Sequence, residues 1–318
     1  MVEQMKEHAM GNSSETMRGV FAAVLTPLHS DLAPDHIRMA QHCQWLLANG
    51  CDGLGILGTT GEATSFSVAE RMGVLEGLAA AGVPLAKSLP GTGAAAFPDT
   101  VELTRHALDM GVGGVLMLPP FYYKGVDDDG VFAAYAEIIE RIGDPALRVY
   151  LYNFPQMSGV LLSMDVIARL TDRYPGTVVG IKDSSGDVGN MLAMIDQFPG
   201  FAVFPGSESA FLTVLKAGGA GCITAASNVS APVAQRVYSA WVKSAEVDDD
   251  AQALLVALRA AITAYPLSAG LKALMARHFG DPGWERVRPT LTLLDEVTRD
   301  SLFGAVDQTS YRLPPMMP

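Results

Sequence analysis

Eight short apolar runs, each followed by a helical segment, repeat in units of roughly 25 to 30 residues with no linker-like stretch between them, and so predict a (β/α)8 barrel. The runs are nearly continuous in Val, Ile, Leu and aromatics rather than alternating, as expected of parallel strands covered on both faces. A doubly wound open sheet in two domains is the competing arrangement. It would show a break in composition between its halves, and the chain has none.

Each run is rich in strand-forming residues and ends in turn residues that hand over to a helix-length segment. VFAAVLTPL from Val20 precedes a helical stretch over 35–49. GLGILG from Gly53 is followed by 67–81, and VPLAKSLP from Val83 by 98–110. GVLMLPP from Gly114 leads into 128–142, and RVYLYNFP from Arg148 into 163–173. TVVGIKDS from Thr177 leads into 187–197, FAVFPGSE from Phe201 into 208–217, and GCITAAS from Gly221 into 231–244. After about residue 245 the alternation stops and the pattern is helical. The expected organisation is an N-terminal tail over 1–17, the barrel over 18–245, and a C-terminal extension of about three helices with a tail over 246–318. The acid runs Asp127–Asp129 and Asp248–Asp250 each open an expected helix, where carboxylates complement the macrodipole.

Composition narrows the class. In 318 residues there are 22 basic against 34 acidic side chains, a net charge of −12, and no basic stripe, so nucleic acid is not an expected partner. A hydrophobic share of 49% with 18% charged residues fits a large core rather than disorder. No window has the uninterrupted apolar length of a membrane span, and MVEQMKEHAMGNSSET lacks the apolar centre of a signal peptide. With three cysteines (Cys43, Cys51, Cys222) and no C-x-x-C, the chain is expected to act in the cytoplasm without a disulfide framework.

In a barrel, chemistry sits at the C-terminal ends of the strands. Those ends are GTTGE (58–62), PPFYY (119–123), YNFP (152–155), KDSSG (182–186), PGSE (205–208) and TAASN (224–228). Of seven lysines only Lys87 and Lys182 fall in expected strands; Lys6, Lys124, Lys216, Lys243 and Lys272 read as solvated charges in the tail, a loop or helices. Lys182 follows VVGI near a strand end, and Gly180 leaves the same side of that strand open. Desolvation at such a mouth favours the neutral amine, which can attack a carbonyl to form a Schiff base. An ion pair with Asp183 is the competing reading, and Lys87, in mid-strand, is a weaker rival. Tyr152 ends the neighbouring strand, where a phenol can relay protons or pack as an ordinary core tyrosine. The GTTGE loop offers hydroxyls and backbone N–H groups to a carboxylate or phosphate, or an N-cap to the next helix. The six histidines form no H-x-x-x-H pair, and neither a Ser-His-Asp triad nor a P-loop is present, so no metal site is expected. Gly206-Ser207 has no basic neighbour to support phosphate binding.

The pieces GTTGEATSFS (58–67), PPFYY (119–123), YNFPQMSG (152–159), GIKDSSGD (180–187), FPGSES (204–209) and GGAGCITAASN (218–228), in this order and spacing, resemble the dihydrodipicolinate synthase / N-acetylneuraminate lyase family of Schiff-base aldolases and dehydratases. The similarity runs from about Gly19 to Tyr238 and more loosely to about 300. The resemblance implies a barrel with C-terminal helices, assembled as a homotetramer, with a 2-keto acid and an aldehyde as small-molecule partners. It implies no cofactor, because the substrate is carried as a covalent imine. It places the Schiff-base lysine at Lys182 and the proton-shuttling tyrosine at Tyr152. Thr59 and Thr60 would hold the keto-acid carboxylate beside Gly61, with Thr60 or its neighbour joining the relay. A tyrosine donated across a subunit interface maps to Tyr122, with Tyr123 adjacent, and Ile223 would floor the pocket.

Two departures bear on the substrate. Where the resemblance implies an arginine, two residues after the proline of the YNxP motif, the chain has Met157, which cannot grip a carboxylate. This argues against the synthase reaction. Glu208-Ser209 stands where the neuraminate lyases carry Asp-Glu, and Ala225 lies near the place of a serine, which argues against sialic acid. Ser184, Ser207 and Glu208, with Gly206, remain candidates for binding the hydroxyls of a shorter acid. The expected activity is aldol cleavage or condensation of a 2-keto-3-deoxy-type acid. Dehydration of such an acid, the synthase reaction, and a non-enzymatic sugar-acid-binding barrel are the alternatives.

Overall fold

The computed structural model describes residues 16–315. The expected N-terminal tail lies outside the described residues except for Thr16 and Met17, whose N–H (Met17) donates to the Tyr150 hydroxyl at 2.8 Å.

Seven of the eight apolar runs form strands: β1 (Gly19–Ala23), β2 (Gly53–Gly55), β3 (Val115–Met117), β4 (Val149–Asn153), β5 (Val178–Asp183), β6 (Ala202–Pro205) and β7 (Gly221–Thr224). All pairings are parallel, in the orders β2-β1-β7 and β3-β4-β5-β6. Two seams close them into one ring. Ala220 N–H donates to Val203 O at 2.9 Å, joining β6 to β7. On the other side the segment 88–92 fills the third strand position, with Leu89 N–H donating to Leu54 O and Leu116 N–H to Pro90 O. The run from Val83 is therefore not the regular strand that the sequence predicts. Its first part is a 3-10 turn, Leu85–Lys87, and Lys87 is exposed, which removes it as a rival nucleophile. Prolines at 84 and 90 explain the difference, since neither can donate to a ladder.

Inside the ring Phe21, Leu89, Leu116, Tyr150, Phe204 and Ile223 fill the barrel, with Phe21 and Phe204 meeting edge to face at 5.6 Å. The closest backbone approach is at Gly221 (φ 148°), where a Cβ would lie 1.8 Å from Gly19 O, so only glycine lets β7 meet β1 there.

The helices are α1 (His36–Ala48), α2 (Val68–Ala80), α3 (Phe97–Asp109), α4 (Asp128–Ile142), the short α5 (Pro155–Ser158), α6 (Met164–Arg173), α7 (Val188–Gln197), α8 (Glu208–Lys216) and α9 (Ser227–Ser244) around the barrel. They are followed by α10 (Asp249–Thr263), α11 (Leu267–Phe279) and α12 (Glu296–Gln308), the three helices of the extension. Both acid runs act as expected: Asp127 and Asp248 cap α4 and α10 by accepting from Gly130 N and Ala251 N, and the next two carboxylates lie in the first turn. Ser67 and Glu70 form a capping box on α2. Helix α9 starts four residues before the expected boundary, with Pro232 inside it, because Ser227 and Asn228 are already buried and bonded in the first turn. Among the described residues no single helix is long and apolar enough to cross a bilayer.

Candidate active site

The register of β4 on β5 sets the site. Tyr152 is the cross-strand partner of Lys182, and Tyr150 that of Gly180. Tyr150 fills the side of the strand that Gly180 leaves: a Cβ there would stand 2.7 Å from the Tyr150 ring. The expected open space at Gly180 is thus occupied. Lys182 Nζ lies 3.3 Å from the Tyr152 hydroxyl and 4.3 Å from the centre of its ring. Both side chains are buried, at 5% and 3% exposure.

Asp183 does not pair with Lys182. Successive strand residues face opposite sides, and the Asp183 carboxylate accepts from Asn153 Nδ2 at 2.9 Å and from Ser185 N at 2.8 Å. Among the described residues no carboxylate is ion-paired with Lys182. The ion-pair alternative is excluded by this geometry, and the amine is left facing the barrel mouth.

The GTTGE loop brings a third group. Thr59 Oγ1 lies 3.3 Å from the Tyr152 hydroxyl, so of the two threonines it is Thr59, not Thr60, that joins the Lys182–Tyr152 chain. Thr60 is buried next to it. Leu57 and Glu62, neither of them glycine, flank the loop in the left-handed region (φ 55° and 59°), a conformation that persists only when the surroundings enforce it. Thr26 Oγ1 donates to Gly61 O at 2.8 Å, and a Cβ on Gly61 would lie 2.7 Å from Val24 O. Glu62 is fully buried, accepting from Lys272 Nζ in α11 and from Arg288 N at 2.8 Å. Lys272 is therefore not a solvated helix charge, a correction to the sequence reading. Burial pushes its amine below the usual lysine range, with Glu62 opposing the shift.

The remaining candidates spread around the mouth. Ser184 and Gly206 interlock, since a Cβ on Gly206 would lie 2.2 Å from Ser184 Oγ. Ser207 caps α8. Glu208 is committed beneath the mouth: its carboxylate accepts from Thr224 Oγ1 and, at 2.8 Å, from Arg259 of α10. Those contacts occupy both oxygens, so we do not count Glu208 as a hydroxyl-binding residue. Ile223 lies in the barrel interior below the site. Tyr122 and Tyr123 stand about three-quarters exposed, edge to face with each other at 5.4 Å. Their loop is tied to the one after β4 by Lys124, whose Nζ donates to Ser158 O at 2.6 Å and to Phe121 O.

A cavity of about 170 Å³ opens beside this chain of hydroxyls, lined among others by Thr59, Tyr152, Met157 and Arg71. Arg71 was not singled out in the sequence. Its signal was spacing: it shares the buried face of α2 with Val74, Leu75 and Leu78. Its Nη2 donates to Gly91 O at 2.7 Å, and burial pushes the guanidinium down to about 10, partly offset by Asp99.

A buried, carboxylate-free lysine beside a tyrosine and a threonine at a barrel mouth is the equipment for carbonyl chemistry. Comparisons with known proteins give the family. The model of the dihydrodipicolinate synthetase family matches residues 16–309. A DapA-like lyase of Chloroflexus aurantiacus is 37% identical over 80% of this chain and 85% of its own. A probable 2-dehydro-3-deoxy-D-pentonate aldolase of Escherichia coli, YjhH, is 31% identical over 70% of this chain and 74% of its own. The crystal structure of YagE from Escherichia coli in complex with pyruvate superposes with a TM-score of 0.84 at 25% identity, covering 93% of this chain and 99% of that one. With the motifs in place on a closed (β/α)8 barrel, the chain belongs to the dihydrodipicolinate synthetase family and is a lyase.

Proposed function

We propose that this lyase forms a Schiff base between Lys182 and C2 of pyruvate or a longer 2-keto acid, and makes or breaks the C3–C4 bond of a 2-keto-3-deoxy-type acid. The observation that carries this reading is Lys182 Nζ, paired with no carboxylate among the described residues and 3.3 Å from the Tyr152 hydroxyl. In the cleavage direction Nζ adds to the C2 carbonyl and the carbonyl oxygen leaves as water, giving an iminium. Tyr152 gives its proton to the departing water and then takes the proton of the C4 hydroxyl. The C3–C4 electrons move into the iminium, an aldehyde leaves, and an enamine remains. Protonation at C3 and hydrolysis release pyruvate and restore the amine. Thr59 passes the Tyr152 proton onward, and the GTTGE backbone with Thr60 holds the substrate carboxylate. The imine is itself the electron sink, so the reaction calls for no metal or organic cofactor.

Met157 favours this aldol reaction over the synthase reaction, and the pentonate aldolase among the similar proteins supports it. The exposed Tyr122 suits donation to a second copy in a homotetramer. Action on soluble metabolites in the cytoplasm goes with this reading. The test is incubation with a panel of 2-keto-3-deoxy acids, with pyruvate release followed by coupling to lactate dehydrogenase. Pyruvate release is expected. A product that keeps all its carbons would instead identify a dehydratase working from the same Schiff base.

A further inference from the structure

Among the described residues that line the 170 Å³ cavity, Arg71 alone is charged in the ordinary range, and none is acidic. Arg71 is 5% exposed, and among the described residues no carboxylate is in ion-pair contact with it, Asp99 acting on it only from longer range. Its Nη2 is bound to Gly91 O, while its buried Nε has no hydrogen-bond partner. A cation taken out of water without a carboxylate is costly, and such groups cluster at functional sites. Gly91 belongs to the segment that fills the third strand position, three places around the ring from β5. Arg71 therefore lines the cavity from the side of the third strand position. Thr59 and Tyr152, which complete the Lys182 chain, also line the cavity, so a ligand within it borders both Arg71 and that chain. The cavity of about 170 Å³ has room for a small acid.

Resting on the Schiff-base reading above, we propose that Arg71 is an anion receptor for a second carboxylate, remote from the keto group, and that the preferred substrate is a dicarboxylic 2-keto acid. Arg71 then supplies, from α2, the cation that Met157 does not supply from the loop after β4. A charge-assisted contact of this kind is worth about tenfold or more in affinity.

The test is borohydride trapping on Lys182 as a function of concentration, using pyruvate, 2-oxoglutarate and 2-oxopentanoate. The last two share a five-carbon chain and differ in the second carboxylate. Wild type is expected to half-saturate with 2-oxoglutarate at a concentration about tenfold or more below that for 2-oxopentanoate. Arg71→Gln, which keeps a donor for Gly91 O, is expected to erase that difference, and Arg71→Lys to keep part of it. Pyruvate trapping is expected to stay unchanged in both. Absence of the preference in wild type, or its survival in Arg71→Gln, overturns the proposal while leaving the Schiff base intact. Equal loss for all three acids in both variants also overturns it, making Arg71 a brace for 91–93. Failure of pyruvate to trap on wild type removes the Schiff-base reading itself and this inference with it.

Discussion

Residue scale holds the chemistry, and the sequence exposed it unevenly. Lys182 stood out as a candidate because strand ends in a barrel are privileged positions and few lysines compete for them, whereas Tyr152 was singled out by the family resemblance. What the sequence left open, pairing with Asp183, is settled by Asn153 and Ser185, which take the carboxylate on the opposite side of β5. The choice between Thr59 and Thr60 depends on a loop whose shape is fixed by left-handed residues and distant partners, and no local pattern encodes it. Lys182→Ala is expected to abolish turnover. Tyr152→Phe should lower kcat by about 10² to 10⁴ while leaving the thermal midpoint within a few degrees of wild type. Thr59→Val should lower kcat by about 10- to 100-fold, and Thr60→Val should act mainly through KM. Steady-state kinetics of the four variants checks this, and a larger kcat loss in Thr60→Val would return the relay to Thr60.

Among the elements, those with strong periodicity or caps came through in the sequence, with boundaries shifted by a few residues. The third strand did not, because Pro84 and Pro90 turn an apolar run into a 3-10 turn and isolated bridges. The tie between α11 and the GTTGE loop was also hidden, since Lys272 and Glu62 are 210 residues apart. Lys272 and Glu62 are both fully buried, and removing one partner of such a pair strands the other charge. Lys272→Ala should cost about 3–5 kcal/mol in urea unfolding and lower activity by loosening the loop that carries Thr59. Lys272→Met combined with Glu62→Leu should recover much of the stability without the activity. If Lys272→Ala unfolds like wild type, the pair does not anchor the loop.

For the whole molecule, the barrel, its three-helix extension and its family were legible from repeat and motif, whereas buried polar anchors were not. One of these, His42, is held among Trp45, Phe279 and Trp284 with Nε2 on Asn228, and burial lowers it from 6.5 to about 4. The unfolded chain then binds a proton that the folded one refuses between those values. Stability is full above pH 6.5 and falls as the pH drops toward 4, by about 3 kcal/mol for this group. His278, also lowered by burial, acts in the same direction. Urea unfolding at pH 8 and pH 5 checks the slope, which His42→Gln should flatten. The central claim, that this barrel works through an imine at Lys182, is tested most directly by reducing the protein with borohydride in the presence of pyruvate and mapping the adduct by peptide mass spectrometry. A reduced pyruvyl group on Lys182, absent from Lys182→Ala, is the predicted result. No adduct with pyruvate or any longer 2-keto acid, or an adduct on another lysine, would contradict it.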